Sequence, residues 1–138
     1  VIVIGKGKSQ LEDYLESALA EQNRVATAEP TPEKGYYYRS DHFSFAKEGV
    51  PMIYFDPGND LVDGGTAAGD AAAADYTENR YHGPKDEFDP NWDWAGVTQD
   101  VALYYRLGRS LAETDAWPNW YEGDEFRATR DTSRAGAQ

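Results

Sequence analysis

The chain has 138 residues, the length of one ordinary domain, and its 40% of hydrophobic residues are enough to bury a core. Its 13 Lys and Arg against 25 Asp and Glu give a formal charge of −12, without the basic patch expected of a nucleic-acid-binding protein. The absence of cysteine excludes disulfides and thiolate metal sites, and no apolar run has the length of a membrane span.

The N-terminal third of the chain begins with strand and helix patterns. The β-branched run at residues 1–4 predicts a strand covered on both faces, and such a central strand at the start indicates a piece of a longer protein. Ser9 and Glu12 have the spacing of a capping box. The apolar spacing that follows them predicts a helix ending near Asn23, and residues 24–28 are a short strand candidate.

The rest of the chain predicts further helices around one more strand. Residues 40–48 are expected to be helical and residues 52–55 to form a strand, and the Ala-rich residues 66–76 are expected to be partly helical. Asp89 followed by Pro90 predicts the start of a long helix. The expected apolar face of that helix consists of Val97, Val101, Tyr104, Leu107 and Leu111. The order of elements favours the α/β class, with a polar helix at 123–134 and fraying from 133 onward.

The second histidine of the chain is the strongest candidate for a site. His82 lies in a Gly/Pro loop, with Tyr81 before it and Asp86 four residues after it. A neutral imidazole is a good zinc ligand, a nearby carboxylate can fix its tautomer, and a phenol can donate to a developing oxyanion. An exposed or capping histidine without a ligand explains the local pattern equally well.

Two other groups of residues have a structural explanation that we favour. Asp41, next to His42, fits a carboxylate in the first turn of a helix better than a site residue. A set of aromatic residues near the C-terminus suits either a sugar- or peptide-binding surface or packing, and packing is favoured. These aromatic residues are Trp92, Trp94, Trp117, Trp120 and Tyr121.

Three sequence elements, at residues 38–45, 49–51 and 81–86, together resemble the C-terminal half of the M28 family of zinc exopeptidases. In order they match S-D-H-x-x-F, G-[VI]-P and Y-H-x-x-x-D, and the resemblance extends from the first strand to about residue 130. It implies a three-layer α/β/α sandwich around a mixed sheet. Residues 1–138 would then be the C-terminal portion of a single catalytic domain, with an irregular tail from about residue 115.

The resemblance also implies an activity and residue roles. The family's site holds two zinc ions, and its aminopeptidases remove N-terminal residues from peptides. His82 corresponds to the last zinc-binding histidine, Tyr81 to a tyrosine that stabilises the tetrahedral intermediate, and Asp86 to the aspartate that supports the histidine loop. Asp41 is expected behind the metal ligands or on the substrate side. Arg39 and His42 are weaker correspondences in the same element.

The chain departs from the family pattern in a way that bears on activity. The family's H-x-D element, Glu-Glu pair and further metal-binding aspartate have no counterpart in this sequence. We therefore expect the isolated chain to be inactive, because it offers one metal ligand and no general base. One alternative is a glutaminyl cyclase-like zinc acyltransferase, although those proteins usually have Trp where Tyr81 stands. Another is a non-catalytic domain that binds peptides or glycans through its aromatic tail.

Partners and location follow from the same comparison. We expect a peptide substrate, and neither a nucleic acid nor a membrane as a partner. An open sheet edge at residues 1–4 would favour self-association or pairing with a missing N-terminal half. The resemblance implies a periplasmic or secreted protein.

Overall fold

The computed structural model describes residues 1–136. The chain forms two compact units, which we call unit 1 and unit 2. Unit 1 contains Val1–Asp56 together with the chain from Ala102 onward, and unit 2 contains Pro57–Val101. Tyr81, His82 and Asp86 therefore belong to unit 2, whereas Arg39, Asp41 and His42 belong to unit 1. The assignment of the whole chain to a single catalytic domain stays a prediction.

The α/β class expected from the sequence is confirmed. The strands are β1 (Ile2–Ile4), β2 (Thr27–Ala28) and β3 (Tyr54–Asp56). The helices are α1 (Leu11–Ala20), α2 (His42–Lys47), α3 (Gly65–Asn79), α4 (Ala95–Ala112) and α5 (Arg127–Ala135), with short 3-10 helices at Pro32–Lys34 and Tyr36–Arg39. None of the helices within residues 1–136 combines the length and the apolar character needed to cross a membrane.

The sheet of unit 1 is mixed, as expected, and β1 is its central strand. The strand order is β2-β1-β3, with β2 parallel and β3 antiparallel to β1. Ile2 pairs with Thr27 on one side and with Asp56 on the other. The expectation that residues 1–4 form an open edge is therefore wrong, because β1 is bonded along both sides. Self-association through a sheet edge stays a prediction, and β2 and β3 are the outer strands of this sheet.

Apolar side chains cover both faces of β1. Successive residues of a strand point to opposite faces, so the side chains of this segment pack into two separate core clusters. One core cluster contains side chains of β1 and β3 with residues of α1 and α4: Val1, Val3, Leu15, Ala18, Leu19, Phe55, Leu103 and Leu107. The second contains Ile4, Tyr37, Ala46, Trp120 and Phe126. The buried strand predicted from the β-branched run is thus confirmed.

Helix α4 buries only part of the face that the spacing predicted. Leu103 and Leu107 are buried, but Val97 and Val101 are exposed. Tyr104 is more than half exposed, although its ring stacks on Phe55 at 4.4 Å between centroids. The spacing thus predicted Leu107, which is buried, and Leu111, which packs against the core, but it missed Leu103 and wrongly included Val97 and Val101.

The start of α1 shows a capping arrangement that is not the predicted capping box. The Ser9 hydroxyl donates to the carbonyl oxygen of Met52 at 3.0 Å instead of accepting from the first turn. The Glu12 carboxylate does reach back, and it accepts the backbone N–H groups of Gly7 at 2.7 Å and Lys8 at 2.8 Å. Ser9 therefore fixes α1 to the chain segment before β3, which a local pattern cannot show.

Candidate functional site

The His82 loop in unit 2 follows directly after α3 and consists of tight turns. The backbone N–H groups of Arg80 and Tyr81 both donate to the Tyr76 carbonyl at 2.9 Å, which closes the end of the helix. The Gly83 N–H then donates to the Arg80 carbonyl at 2.8 Å, and the Asp86 N–H to the Gly83 carbonyl at 3.1 Å. The backbone between α3 and Asp86 is thus held by its own hydrogen bonds.

His82 occupies an unusual conformation within these turns. Its φ of 55° lies in the left-handed region, which non-glycine residues adopt uncommonly. The imidazole stacks on the Tyr81 ring with 4.0 Å between centroids and 27° between planes, and both side chains are exposed. Strained backbone of this kind often marks functional positions. The geometry presents the imidazole to solvent with one face covered by its neighbour.

Asp86 ties this loop to α3. Its carboxylate accepts a hydrogen bond from the Tyr76 hydroxyl at 3.0 Å, and this bond raises the pKa of Tyr76. The Tyr76 ring also lies 5.9 Å from the Tyr81 ring. Asp86 was expected to support the loop, and its hydrogen bond to Tyr76 is a contact through which it can do so. No sequence pattern pointed to Tyr76. The expected effect of Asp86 on the His82 tautomer stays a prediction.

The second set of candidate residues lies around α2 in unit 1. Arg39 is exposed, and its guanidinium lies 5.3 Å from the centroid of the Tyr36 ring. Asp41 occupies the N-cap position of α2, where its side chain makes no capping hydrogen bond to the described residues. Its charge still lies at the end of the helix where a negative charge is favourable. Neither position identifies a substrate contact, so these roles stay predictions.

The His42 ring packs within a cluster of aromatic side chains. Its ring meets the Tyr37 ring at 4.7 Å and the Tyr54 ring at 5.2 Å between centroids. Burial lowers the pKa of His42, although a hydrogen bond to the backbone of Tyr37 opposes the shift. Within residues 1–136, the buried His42 Nε2 and the buried Tyr37 hydroxyl have no hydrogen-bond partner. The cluster favours a neutral, packing histidine at position 42.

Unit 1 also contains a charged cluster that the sequence analysis missed. Lys8 Nζ lies 3.3 Å from the Asp124 carboxylate and 3.2 Å from that of Glu125. It also lies 4.8 Å from the centroid of the Tyr37 ring. Burial opposes the positive charge, but the two carboxylates outweigh it and raise the pKa of Lys8. Over 110 residues separate the partners in the sequence, so no spacing signal predicts this contact.

The aromatic residues of the C-terminal region divide into buried and exposed groups. Trp120 is 0% exposed, and its indole N–H donates to the Gly49 carbonyl at 3.0 Å, which confirms packing for this residue. Trp117 is 66% exposed, and Arg134 lies 4.1 Å from its ring centroid. Trp92 and Trp94 are also exposed. Packing therefore explains Trp120 but not these three residues.

The described residues do not complete a zinc site. Zinc is held by three or four protein ligands from nitrogen, oxygen and sulfur donors. In the described part of the chain, no group of three or more His, Cys, Asp or Glu side chains is placed to hold a metal ion. His82 offers one exposed imidazole, which suits one ligand of such a site. The remaining donors would have to come from outside these residues.

Comparison with known proteins gives one match. The family model described as peptidase family M28 matches residues 1–106, which include the candidate residues around both histidines. No curated protein and no solved structure matches the chain. The family's members are peptidases and are generally zinc-dependent. Because the match covers well over half of the sequence, the chain belongs to peptidase family M28.

Proposed function

We propose that this chain is part of a dinuclear zinc aminopeptidase that hydrolyses N-terminal residues from peptides. Family membership supports a peptidase, and the His82 loop supports the finer assignment. The observation that carries the proposal is the shape of that loop, in which His82 has a φ of 55° and stacks on Tyr81. A strained, exposed imidazole held by a neighbouring ring is suited to binding a metal ion at a fixed direction.

The residues of unit 2 would act together. His82 would supply one ligand to the zinc pair, with the other ligands outside the described residues. Bound zinc would supply Lewis acidity and a water activated for attack on the peptide carbonyl. Tyr81 would limit rotation of the imidazole by stacking, and its phenol would donate a hydrogen bond to the oxyanion of the substrate. Asp86 and Tyr76 would hold the loop that carries both.

Activity assays on the protein isolated from its source test the proposal. We expect release of the N-terminal residue from peptides with a free α-amine, and no release from the same peptides when the amine is acetylated. His82→Ala should abolish this activity, whereas Lys85→Ala, an exposed residue of the same loop, should preserve it. Retained activity in His82→Ala would refute the assignment. Cyclisation of N-terminal glutamine without amino-acid release would favour the glutaminyl cyclase-like alternative.

The isolated 138-residue chain should not catalyse this reaction. The described residues offer one histidine ligand in the loop and no complete donor group for zinc. The expected result is no hydrolysis above the rate of a buffer blank when the purified chain is supplied with zinc. Turnover by this chain at ordinary zinc concentrations would contradict the proposal. We also propose a periplasmic or secreted location, which fractionation of the source cells would test.

A binding function is the second candidate, and Trp117 favours it. This exposed indole lines a cavity of about 220 Å³ in unit 1, together with Asp13 and Gln10. Arg134 lies over this ring, and Asp13 Oδ1 and Gln10 Oε1 already accept hydrogen bonds, so a sugar would have to stack in place of Arg134 or on the opposite ring face. Glycan binding lost in Trp117→Ala and retained in His82→Ala would favour this function. Trp120 is no part of such a surface, because its side chain is buried.

A further inference from the structure

Three aromatic side chains of unit 2 form an exposed cluster between the His82 loop and α4. The Phe88 ring lies 5.5 Å from Trp92 and 6.3 Å from Trp94, and the two indoles lie 5.5 Å apart. The three residues are 69%, 43% and 46% exposed, in that order. Exposed aromatic residues in mutual contact mark interaction sites more often than single exposed ones do. Tryptophan is also enriched among the residues that dominate binding energy at interfaces.

Carboxylates on the same segment fix its backbone. Asp89 Oδ1 accepts the Asn91 backbone N–H at 2.8 Å, and Asp93 Oδ1 accepts the Ala95 backbone N–H at 2.9 Å. These two turns enclose the segment that carries Trp92 and Trp94. The backbone that carries these two rings is therefore ordered before any partner binds, which lowers the entropic cost of association.

The charge around the rings is strongly negative. Residues 85–94 contain one Lys and four acidic residues, Asp86, Glu87, Asp89 and Asp93, a net charge of 1 − 4 = −3. A second copy of the chain, with its net charge of −12, would on the whole be repelled from this surface. A cationic partner would be attracted to the carboxylates and could also stack on the rings.

We propose that this aromatic-acidic surface, formed by Phe88, Trp92, Trp94 and Glu87, binds a basic peptide segment. Arginine is the best-suited side chain, because its planar guanidinium stacks on aromatic faces and pairs with carboxylates. Each ring contact adds to an ion pair that would be weak on its own at an exposed surface. The proposal is independent of zinc binding and of peptidase activity.

Calorimetric titration of the 138-residue chain with three matched peptides tests the proposal. The probe is an eight-residue peptide of alternating Arg and Gly; the controls replace Arg by its neutral isostere citrulline, or by Glu. The Arg peptide should bind saturably with a dissociation constant of about 10–500 μM at low salt. The citrulline peptide should bind at least about tenfold more weakly, and 0.5 M NaCl should weaken the Arg peptide similarly.

Paired variants locate the binding. Trp94→Ala should weaken the Arg peptide about fivefold, and Phe88→Ala, a second variant at a more exposed ring, should weaken it at least about twofold. Tyr105→Ala, at a tyrosine of unit 1 that is 65% exposed, should leave the affinity unchanged. Glu87→Gln should weaken binding about twofold, and its matched control Glu48→Gln, an exposed acid of unit 1, should have no effect. Far-UV circular dichroism and thermal midpoints confirm that each variant is folded.

Several outcomes would overturn the proposal. Equal affinity for the citrulline peptide would mean that the surface binds an apolar, uncharged segment instead of a basic one. Equal weakening by Tyr105→Ala and Trp94→Ala would mean that the basic peptide binds the acidic chain without a site. Concentration-dependent dimers that disappear in Trp94→Ala would assign the surface to a second copy. Absence of saturation up to 2 mM peptide would refute binding directly.

Discussion

Replacing Trp120 by Phe removes a buried hydrogen bond between distant parts of unit 1. The Trp120 side chain is 0% exposed, and its indole N–H donates to the Gly49 carbonyl oxygen. The indole also packs against Phe126, with 5.1 Å between ring centroids. A phenyl ring keeps part of this packing but has no N–H, so the carbonyl of Gly49 would remain buried without its donor.

Two losses set the size of the effect on stability. A buried acceptor left without its donor costs roughly 1–3 kcal/mol. The smaller ring loses about 1 kcal/mol more of buried apolar contact. We therefore expect the free energy of unfolding to fall by about 2–4 kcal/mol, a large part of the roughly 5–15 kcal/mol available to a protein of this kind.

Urea unfolding followed by far-UV circular dichroism measures this change without relying on tryptophan fluorescence. Trp117→Phe is the matched control, because the same substitution at an exposed indole should change the free energy by no more than about 0.5 kcal/mol. A loss below about 1 kcal/mol for Trp120→Phe would contradict the predicted cost of the unpaired Gly49 carbonyl. An equal loss in both variants would do so as well, because burial would then not be the cause.

Further predictions concern a glycine, a buried hydroxyl and the His82 loop. Gly49→Ala should lower the thermal midpoint by several degrees, since Gly49 has a φ of 81° and an added Cβ would lie 2.6 Å from the backbone nitrogen of Arg130. Tyr37→Phe should be neutral or stabilise by up to about 1 kcal/mol at pH 7, because the Tyr37 hydroxyl is buried and unpaired among residues 1–136. Burial also raises the pKa of Tyr37, so the wild type should lose stability above pH ~10 and this variant should lose less. Tyr76→Phe should speed hydrogen exchange at the backbone amides of the His82 loop, because it removes the bond to Asp86.

Each of these predictions has a result that would contradict it. For Gly49→Ala, the contradictory result is an unchanged thermal midpoint. For Tyr37→Phe, one contradictory result is a lower stability than the wild type at pH 7. The other is a loss of stability between pH 7 and pH 10.5, measured in urea, as large as that of the wild type. For Tyr76→Phe, the contradictory result is unchanged exchange in the loop, with the amides of α1 as the internal reference.

The sequence predicted the elements of this fold better than their partners. The β-branched run correctly indicated a central, buried strand at β1, and the apolar spacing correctly indicated α1. Ser9 had a suitable capping pattern, but its hydroxyl bonds to Met52, 43 residues away in the sequence. A local pattern carries no information about such a partner. The same limit explains why an open edge was expected at residues 1–4, although β1 has a paired strand on each side.

Glycine and aspartate positions show a second limit. Gly69 lies inside α3, although glycine disfavours a helix interior. The Asn59 carbonyl oxygen leaves no room for a side chain there, because an added Cβ would lie 2.0 Å from it. Asp89 was expected to start the long helix, but its carboxylate forms a turn onto Asn91, and α4 begins at Ala95. At both positions, tertiary or competing local contacts outweigh the intrinsic helix propensity of the residue.

The candidate site was predictable only in part. The Y-H-x-x-x-D spacing pointed to Tyr81, His82 and Asp86, and the structure brings Tyr81 and His82 into ring contact. Tyr76 was missed because its bond to Asp86 depends on how the chain turns back after α3. Its position in the last turn of an expected helix, ten residues before an aspartate, was the only signal available.

Comparing the zinc content of the protein isolated from its source between the wild type and His82→Ala tests whether His82 is a zinc ligand. We expect about two zinc ions per polypeptide in the wild type and a clear loss in the variant, with Lys85→Ala retaining the wild-type content. Full zinc retention in His82→Ala would contradict the assignment of this histidine as a ligand. A wild-type protein that binds no zinc would contradict the proposed metallo-aminopeptidase as a whole.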